Sequence, residues 1–301
     1  MLMLHNNTAA AFTEIAATST PKPNIQLCTL RDDPFQRYYL YLPQINVGAV
    51  AHGILPPATL VHPCTARVFV TVHGISRNAE EHARLFAPFV ERYGVVLVAP
   101  IFSANRFAKY QQLGKAGHGK RADQTLHQIL AEVQTLTGAA VDSVYLFGFS
   151  GGGQFVHRYA MAYPERVARF MVGAAGWYTF PDATLKYPRG IKQRRDLPDV
   201  RLEPERFLKV PGGVVVGERD IKAGSALNKA PRLAEQQGRN RLARAQRWAE
   251  AMTAAAHDRG LDTRYVMHIL PRCGHSFRRG MRRGMGKYVF EYLFGAPDGE
   301  R

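Results

Sequence analysis

Short apolar segments alternate with longer segments of helical periodicity, and this alternation limits most strongly how the chain can fold. Arg67–His73, Val95–Phe102 and Ser143–Phe149 are mainly apolar runs without the polar alternation of a half-exposed strand. Such runs are typical of strands in a sheet that is covered on both faces. Between them, Asn78–Arg92 and Ala122–Leu136 have apolar residues at helical spacing. This order predicts a mostly parallel sheet with helices on both faces.

The same pattern extends toward both ends of the chain. Asn24–Leu30 and Arg37–Leu42 flank an Asp-Asp-Pro turn and predict an antiparallel hairpin. The predicted elements beyond residue 150 are a helix over Gly151–Tyr163, strands over Arg169–Gly176, Gly213–Gly217 and Thr263–Leu270, and helices over Pro231–Gly260 and Phe277–Phe294. A polar, Pro-rich stretch at residues 177–210 is interpreted as a short insertion. We therefore predict a single α/β domain over residues 24–301, after a loose tail over residues 1–23.

The composition is that of a globular and strongly basic protein. The 301 residues include 40 Lys and Arg against 24 Asp and Glu, which gives a formal net charge of +16. Three cysteines do not fit a disulfide scaffold or a four-cysteine zinc site. No apolar run reaches the ~18 residues that a membrane span needs. Met1–Thr20 lacks Lys and Arg and contains Glu14, unlike a signal peptide, so we expect a cytoplasmic location.

A Gly-x-Ser-x-Gly motif lies at the end of a predicted strand. Residues 148–152 read GFSGG and join the strand Ser143–Phe149 to the helix that begins at Gly151. A sharp strand–turn–helix lifts a serine hydroxyl above the carboxyl edge of the sheet and requires small neighbours. We predict that Ser150 is a nucleophile. A serine in an ordinary strand–helix turn is the alternative.

A serine nucleophile needs a base, and the base needs a carboxylate that orients it. In the chain order Ser, acid, His, the base follows the last strand, where His275 stands in a Gly-His-Ser sequence. Asp220 comes just after the predicted strand Gly213–Gly217 and is the preferred acid. Glu218 and, more distantly, Asp182 stay open as alternatives.

A tetrahedral oxyanion needs N–H donors that are already in place. Gly151 supplies the amide directly after the nucleophile, and the loop after the first apolar strand reads His73-Gly74-Ile75. Gly74 allows the backbone to turn inward, so we expect Ile75 to supply the second N–H. We interpret His73 as a structural hydrogen-bonding residue rather than a second base.

In chain order, these motifs resemble those of the α/β-hydrolase family over roughly residues 67–294. They are His-Gly-x at the third strand, Gly-x-Ser-x-Gly at the fifth, Gly-Glu-Arg-Asp at the seventh and Gly-His-Ser after the eighth. The segments HGISRNAE, VAPIFSANRF and QQGRNRLARA resemble bacterial esterases of the polyhydroxybutyrate-depolymerase-like type. The resemblance implies the α/β-hydrolase fold, with a mostly parallel eight-stranded sheet.

The resemblance also implies a serine hydrolase that cleaves carboxylic esters through an acyl-enzyme. Its roles, carried over residue by residue, are Ser150 as nucleophile, His275 as base, Asp220 as acid, and Ile75 and Gly151 as oxyanion donors. The same triad serves acyltransferases and hydrolases of amides, thioesters or lactones. A catalytically weak protein of this fold that binds an anionic partner is the alternative from another class.

Three aromatic residues near the predicted site are candidates for the substrate pocket. Phe149 lies within the serine motif, and Trp177 and Tyr178 follow a predicted strand. Packing in the core is the other interpretation of Trp177 and Tyr178. A phosphate-loop-like sequence at residues 114–120 is followed by Arg121 instead of the Ser or Thr that binds Mg²⁺. We expect no cofactor and no metal.

The positive charge is concentrated in the second half of the chain, at residues 186–209, 232–247 and 272–287. Two of these segments flank the loops of Asp220 and His275. A solvated surface is one interpretation, and a preference for anionic ester substrates is another. Nucleic acid is disfavoured because no known nucleic-acid-binding module accompanies the charge. The expected partner is a small or oligomeric ester, and the oligomeric state stays open.

Overall fold

Eight strands form one sheet in the computed structural model, which describes residues 24–43, 66–115, 117–193, 197, 199–222, 224 and 227–295. The strands are β1 (Gln26–Leu30), β2 (Asp33–Tyr41), β3 (Arg67–Val72), β4 (Val96–Pro100), β5 (Ala140–Phe149), β6 (Val167–Gly173), β7 (Gly212–Gly217) and β8 (Val266–Leu270). Their order in the sheet is β1-β2-β4-β3-β5-β6-β7-β8. The β1–β2 and β2–β4 pairs are antiparallel and all other neighbours are parallel. The mostly parallel eight-stranded sheet is confirmed, and the chain has the α/β-hydrolase fold.

Eight α-helices accompany the sheet in the part of the chain that the structure describes. They are α1 (Ala79–Tyr93), α2 (Ala122–Thr137), α3 (Gly151–Ala162), α4 (Pro204–Phe207), α5 (Pro231–Gln237), α6 (Arg241–His257), α7 (Phe277–Arg282) and α8 (Met285–Phe294). None of the described helices is both long and apolar enough to cross a bilayer.

The helices cover both faces of the sheet. On one face, Phe69 of β3 packs against Phe86 of α1 and Phe290 of α8, with ring centroids 5.0 and 4.8 Å apart. On the other face, Phe170 of β6 meets Trp248 of α6. Every residue of β4 and β7 is buried, because successive side chains point to opposite faces of the sheet and helices cover both faces. This explains why the central strands are continuously apolar in sequence.

Two helices that the periodicity predicts as continuous are interrupted. The predicted helix Pro231–Gly260 is two helices, because Gly238 has a φ of 104° and Asn240 caps α6 by accepting a hydrogen bond from the N–H of Ala243. The predicted helix Phe277–Phe294 is likewise divided into α7 and α8 before Gly284, whose φ is 91°. Residues 177–210 are largely irregular and include only the short helix α4 among their described residues. The predicted tail, residues 1–23, lies outside the described residues.

The phosphate-loop-like segment has a structural partner. Lys120 places its Nζ 2.5 Å from the Asp33 carboxylate in the β1–β2 hairpin, and Arg106 pairs with the same carboxylate. These hydrogen bonds lower the pKa of Asp33 to about 2. Lys120 therefore anchors this end of the segment to the hairpin, beside the contact that Arg106 makes.

Candidate active site

Ser150 lies in a sharp turn between β5 and α3. Its backbone has φ 56° and ψ −110°, in a region that non-glycine residues seldom occupy and that is often found at functional sites. The Ser150 N–H donates to the carbonyl of Gly173 over 2.7 Å, which ties the turn to β6. A Cβ on Gly152 would lie 1.9 Å from the carbonyl oxygen of Val72. A Cβ on Gly148 would lie 2.2 Å from the carbonyl oxygen of Gly152. The turn therefore admits only glycine at these two positions.

Ser150, His275 and Asp220 form a hydrogen-bonded series at the carboxyl edge of the sheet. The Oγ of Ser150 lies 3.1 Å from Nε2 of His275, and Nδ1 of His275 lies 2.7 Å from Oδ2 of Asp220. The Asp220 side chain is 2% exposed and that of His275 is 27% exposed. A carboxylate at Nδ1 favours the tautomer with its proton there, which leaves Nε2 free to accept the serine proton.

The other two candidate acids serve different purposes. The Glu218 carboxylate accepts the N–H of Arg272 over 2.7 Å and so stabilises the loop that leads to His275. The Asp182 carboxylate accepts hydrogen bonds from the N–H and the hydroxyl of Thr184. Of the three acids, Asp220 is the one that the structure brings to His275.

Arg241 contacts the second oxygen of Asp220. Its Nη1 lies 3.4 Å from Oδ1 of Asp220, and both side chains are buried. In the sequence, this arginine lies in the basic segment at residues 232–247, and no motif there predicts a contact with the candidate acid. A usable signal exists, because Arg241, Arg244 and Trp248 follow one another at helical spacing and all three lie on the buried face of α6.

The amides of Ile75 and Gly151 lie close together beside Ser150. The nitrogen of Ile75 is 3.3 Å from the position that a Cβ on Gly151 would take. Within the described part of the chain, the Ile75 N–H has no hydrogen-bond acceptor. Gly151 begins α3, where an N–H has no partner inside the helix. The structure therefore brings the two amides that the sequence singles out to the same side of the turn at Ser150.

A buried network supports the loop that carries Ile75. The His73 ring is paired at both nitrogens, with Nδ1 2.8 Å from the carbonyl of Gly74 and Nε2 accepting the N–H of Phe102 over 3.0 Å. Burial lowers the pKa of His73 to about 4, so this ring is neutral near pH 7. The Tyr110 hydroxyl donates to the His73 carbonyl over 3.0 Å. His73 therefore holds the loop in position.

Arg77 closes the same loop from its outer side. Its N–H donates to the Gly74 carbonyl over 3.1 Å, and its own φ is 60°. The guanidinium donates to the Phe102 carbonyl and lies 4.3 Å from the centre of the Tyr110 ring. Sequence reasoning missed this residue, because no motif marks it.

The three aromatic candidates have different surroundings. Phe149 stacks on His275, with ring centroids 5.1 Å apart and an interplanar angle of 25°. Tyr178 is fully buried and stacks on Trp248 at 5.0 Å, so it belongs to the core. Trp177 is half-buried and lines a cavity of about 360 Å³. Its ring lies over the buried guanidinium of Arg158, 4.6 Å from the ring centre.

Comparison with known proteins finds the same fold among solved structures. No family model and no curated protein matches the chain. Among solved structures, it is similar to poly(aspartic acid) hydrolase-1 from Sphingomonas sp. KT-1, with a TM-score of 0.70 and 23% identity over 92% of this chain and 100% of that one. It is also similar to LpqC, a poly(3-hydroxybutyrate) depolymerase from Bordetella parapertussis, with a TM-score of 0.68 and 24% identity over 92% of each chain. An S-formylglutathione hydrolase from Agrobacterium tumefaciens matches with a TM-score of 0.54 and 14% identity over 89% of this chain and 94% of that one.

Proposed function

We propose that the protein is a serine hydrolase that cleaves carboxylic esters through an acyl-enzyme. The observation that carries the proposal is the series of contacts from Ser150 Oγ to His275 Nε2 at 3.1 Å and from His275 Nδ1 to Asp220 Oδ2 at 2.7 Å. The similarity in fold to a poly(aspartic acid) hydrolase and a poly(3-hydroxybutyrate) depolymerase supports it, because both are hydrolases.

The proposed reaction begins when Ser150 Oγ attacks the ester carbonyl carbon while Nε2 of His275 takes the hydroxyl proton. The carbonyl oxygen becomes an oxyanion that accepts hydrogen bonds from the N–H groups of Ile75 and Gly151. Asp220 stabilises the imidazolium. His275 then returns the proton to the leaving alcohol, and the acyl group stays on Ser150.

Deacylation repeats the sequence with water as the nucleophile. His275 removes a proton from the water, which attacks the acyl carbon, and the proton then returns to Ser150 Oγ. The same steps apply to an amide, whose leaving amine takes the proton that an alcohol would take. We place esters first because amines are poorer leaving groups.

The test compares hydrolysis of p-nitrophenyl acetate and butyrate by the wild type and by Ser150→Ala. We expect the variant to lose at least about 10⁴-fold in kcat. Ser143→Ala is the matched control, because Ser143 is exposed near the amino end of the same strand. Full turnover by Ser150→Ala would contradict the proposal. A parallel assay with p-nitroanilides measures whether amides are also cleaved.

A further inference from the structure

A cavity of about 360 Å³ lies between segments that follow strands β6 and β7. Its walls come from Trp177, from residues 184–189 and from Asn228, Ala230, Arg232 and Leu233. Trp177 follows β6 and Asn228 follows β7, so both lie at the carboxyl edge of the sheet, where Ser150 follows the adjacent strand β5. The cavity and the nucleophile therefore share one edge of the molecule.

The lining of this cavity is cationic. Lys186, Arg189 and Arg232 contribute to it, and no Asp or Glu is among the described residues that line it. The structure gives none of these three side chains an ion pair or a hydrogen bond with another described residue. The nearby Asp182 carboxylate accepts two hydrogen bonds from Thr184, which are the main reason that its pKa is lowered, and the charge of Arg189 adds to that effect. Lys186, Arg189 and Arg232 therefore line the cavity without a carboxylate among its described walls.

Buried hydrogen bonds fix the two walls relative to each other. The side chain of Arg244 is buried and donates from Nη1 to the carbonyl of Gly176 over 2.6 Å and from Nη2 to the carbonyl of Asn228 over 2.9 Å. One side chain therefore joins the loop of Trp177 to the loop of Asn228. A cavity whose walls are fixed in this way needs little rearrangement to accept a ligand.

A second buried arginine adds positive charge beneath Trp177. Arg158 is fully buried, and its described hydrogen-bond partners are uncharged: the hydroxyl of Thr179, the carbonyl of Gln111 and groups of Gln154. Burial lowers the pKa of Arg158 to about 10, which still leaves it charged near pH 7. A charge with no carboxylate beside it in a low-dielectric interior raises the potential of the adjoining cavity.

We propose that this cavity is an anion subsite, which binds a carboxylate of the substrate while the scissile carbonyl lies at Ser150. The inference rests on the proposed function and narrows it to esters with an acidic group. Trp177 supplies an apolar wall for the chain between the two groups, and Lys186, Arg189 and Arg232 attract the carboxylate. The net charge of +16 then contributes directly to substrate selection.

The experiment uses pairs of p-nitrophenyl esters that differ only at the far end of the acyl chain. Adipate and suberate half-esters carry a free carboxylate, and their monomethyl esters are neutral controls of nearly equal size. We expect the wild type to have a higher kcat/KM for the anionic member of at least one pair. That preference should decrease as the salt concentration rises, because exposed charges are screened.

The variant Arg189→Gln/Arg232→Gln removes two charges from the cavity. We expect the ratio of kcat/KM for the anionic ester to that for the neutral ester to fall about fivefold, as exposed ion pairs of modest strength would give. The matched control is Lys209→Gln/Arg264→Gln, which removes two charges near the amino ends of β7 and β8, at the opposite edge of the sheet. The control should keep the wild-type ratio.

Binding of adipate to Ser150→Ala gives a readout that does not depend on turnover. Calorimetry should detect adipate binding, and the cavity variant in the same background should bind it more weakly. Equal kcat/KM for both members of every pair, or an equal effect of the cavity and control variants, would overturn the subsite. In that case, cleavage of the neutral esters by the wild type, but not by Ser150→Ala, would still support the proposed function. If the wild type did not cleave the neutral esters either, the proposed function itself would be contradicted.

Discussion

At the scale of single residues, the contact between Asp220 and His275 carries the most chemical consequence. Asp220→Asn keeps the shape of the side chain but replaces a carboxylate with an amide, which can stabilise the wrong tautomer of the histidine. We expect kcat to fall by about 10⁴-fold, the loss typical of this change in a serine–histidine–aspartate triad. Steady-state hydrolysis of p-nitrophenyl butyrate measures it.

Glu218, the second candidate for the acid, provides the control for Asp220→Asn. Glu218→Gln keeps the ability to accept the N–H of Arg272, so we expect a loss of less than tenfold in kcat, on the order of the weakening of one exposed hydrogen bond. If Glu218→Gln were the more damaging of the two, the assignment of Asp220 would be wrong.

Ile75 offers a direct test of a backbone donor. Ile75→Pro removes the N–H that we assign to the oxyanion, and we expect kcat to fall by roughly 10²- to 10³-fold. Ile75→Ala keeps the N–H and removes a side chain that is 50% exposed, so it should retain most of the activity. Thermal unfolding of both variants shows whether the loop is intact. Similar kcat values for the two variants, with both folded, would contradict the role of the amide.

At the scale of elements, the turn between β5 and α3 depends on how closely α3 approaches β3. Gly152→Ala would place a methyl group 1.9 Å from the carbonyl oxygen of Val72, a backbone atom that cannot move away alone. We expect a loss of about 2 kcal/mol or more in the free energy of unfolding, together with a large loss of activity.

Urea unfolding and esterase assays measure the two effects. Gly224→Ala is the control, because a Cβ there would meet no atom of the described residues within 4 Å and no left-handed φ is involved. Unchanged stability and activity in Gly152→Ala would mean that the turn is less crowded than its geometry implies.

The elements also show what the sequence predicts well and what it does not. The strands were predictable because continuous apolar runs such as β4 have few other interpretations. The break in the predicted helix Pro231–Gly260 was missed, because local periodicity continues through Gly238 while the chain changes direction. The contact of Arg241 with Asp220 was missed for a related reason. The helical spacing of Arg241 with Trp248 indicates a shared buried face, but only the folded chain shows that the arginine contacts a buried carboxylate.

At the scale of the whole molecule, three buried histidines make stability depend on pH. Burial lowers the pKa of His73 to about 4 and those of His82 and His157 well below the ordinary value of 6.5. Because the pKa of these rings is lower in the folded chain, the unfolded chain binds protons at a higher pH than the folded chain does. Their contribution to the free energy of unfolding is therefore fully present above about pH 6.5 and is lost as the pH falls toward 4. His73 alone should cost about 2 kcal/mol between pH 7 and pH 5.

Urea unfolding at pH 7 and pH 5 checks this dependence. The Asp33 carboxylate, with its pKa of about 2, should not contribute in that window. The variant His257→Gln serves as the control for replacing a histidine, because His257 is exposed. Equal free energies of unfolding at the two pH values would contradict the neutral, buried state of these rings.

The fold brings together residues from four separate loops, and the central claim is that Ser150 is the nucleophile they activate. Mass spectrometry after reaction with a fluorophosphonate tests it most directly, because the probe forms a stable adduct with an activated serine. We predict one adduct on the wild type, located on Ser150, and greatly slowed labelling in His275→Ala. An unlabelled wild type, or an adduct on another serine, would contradict the claim.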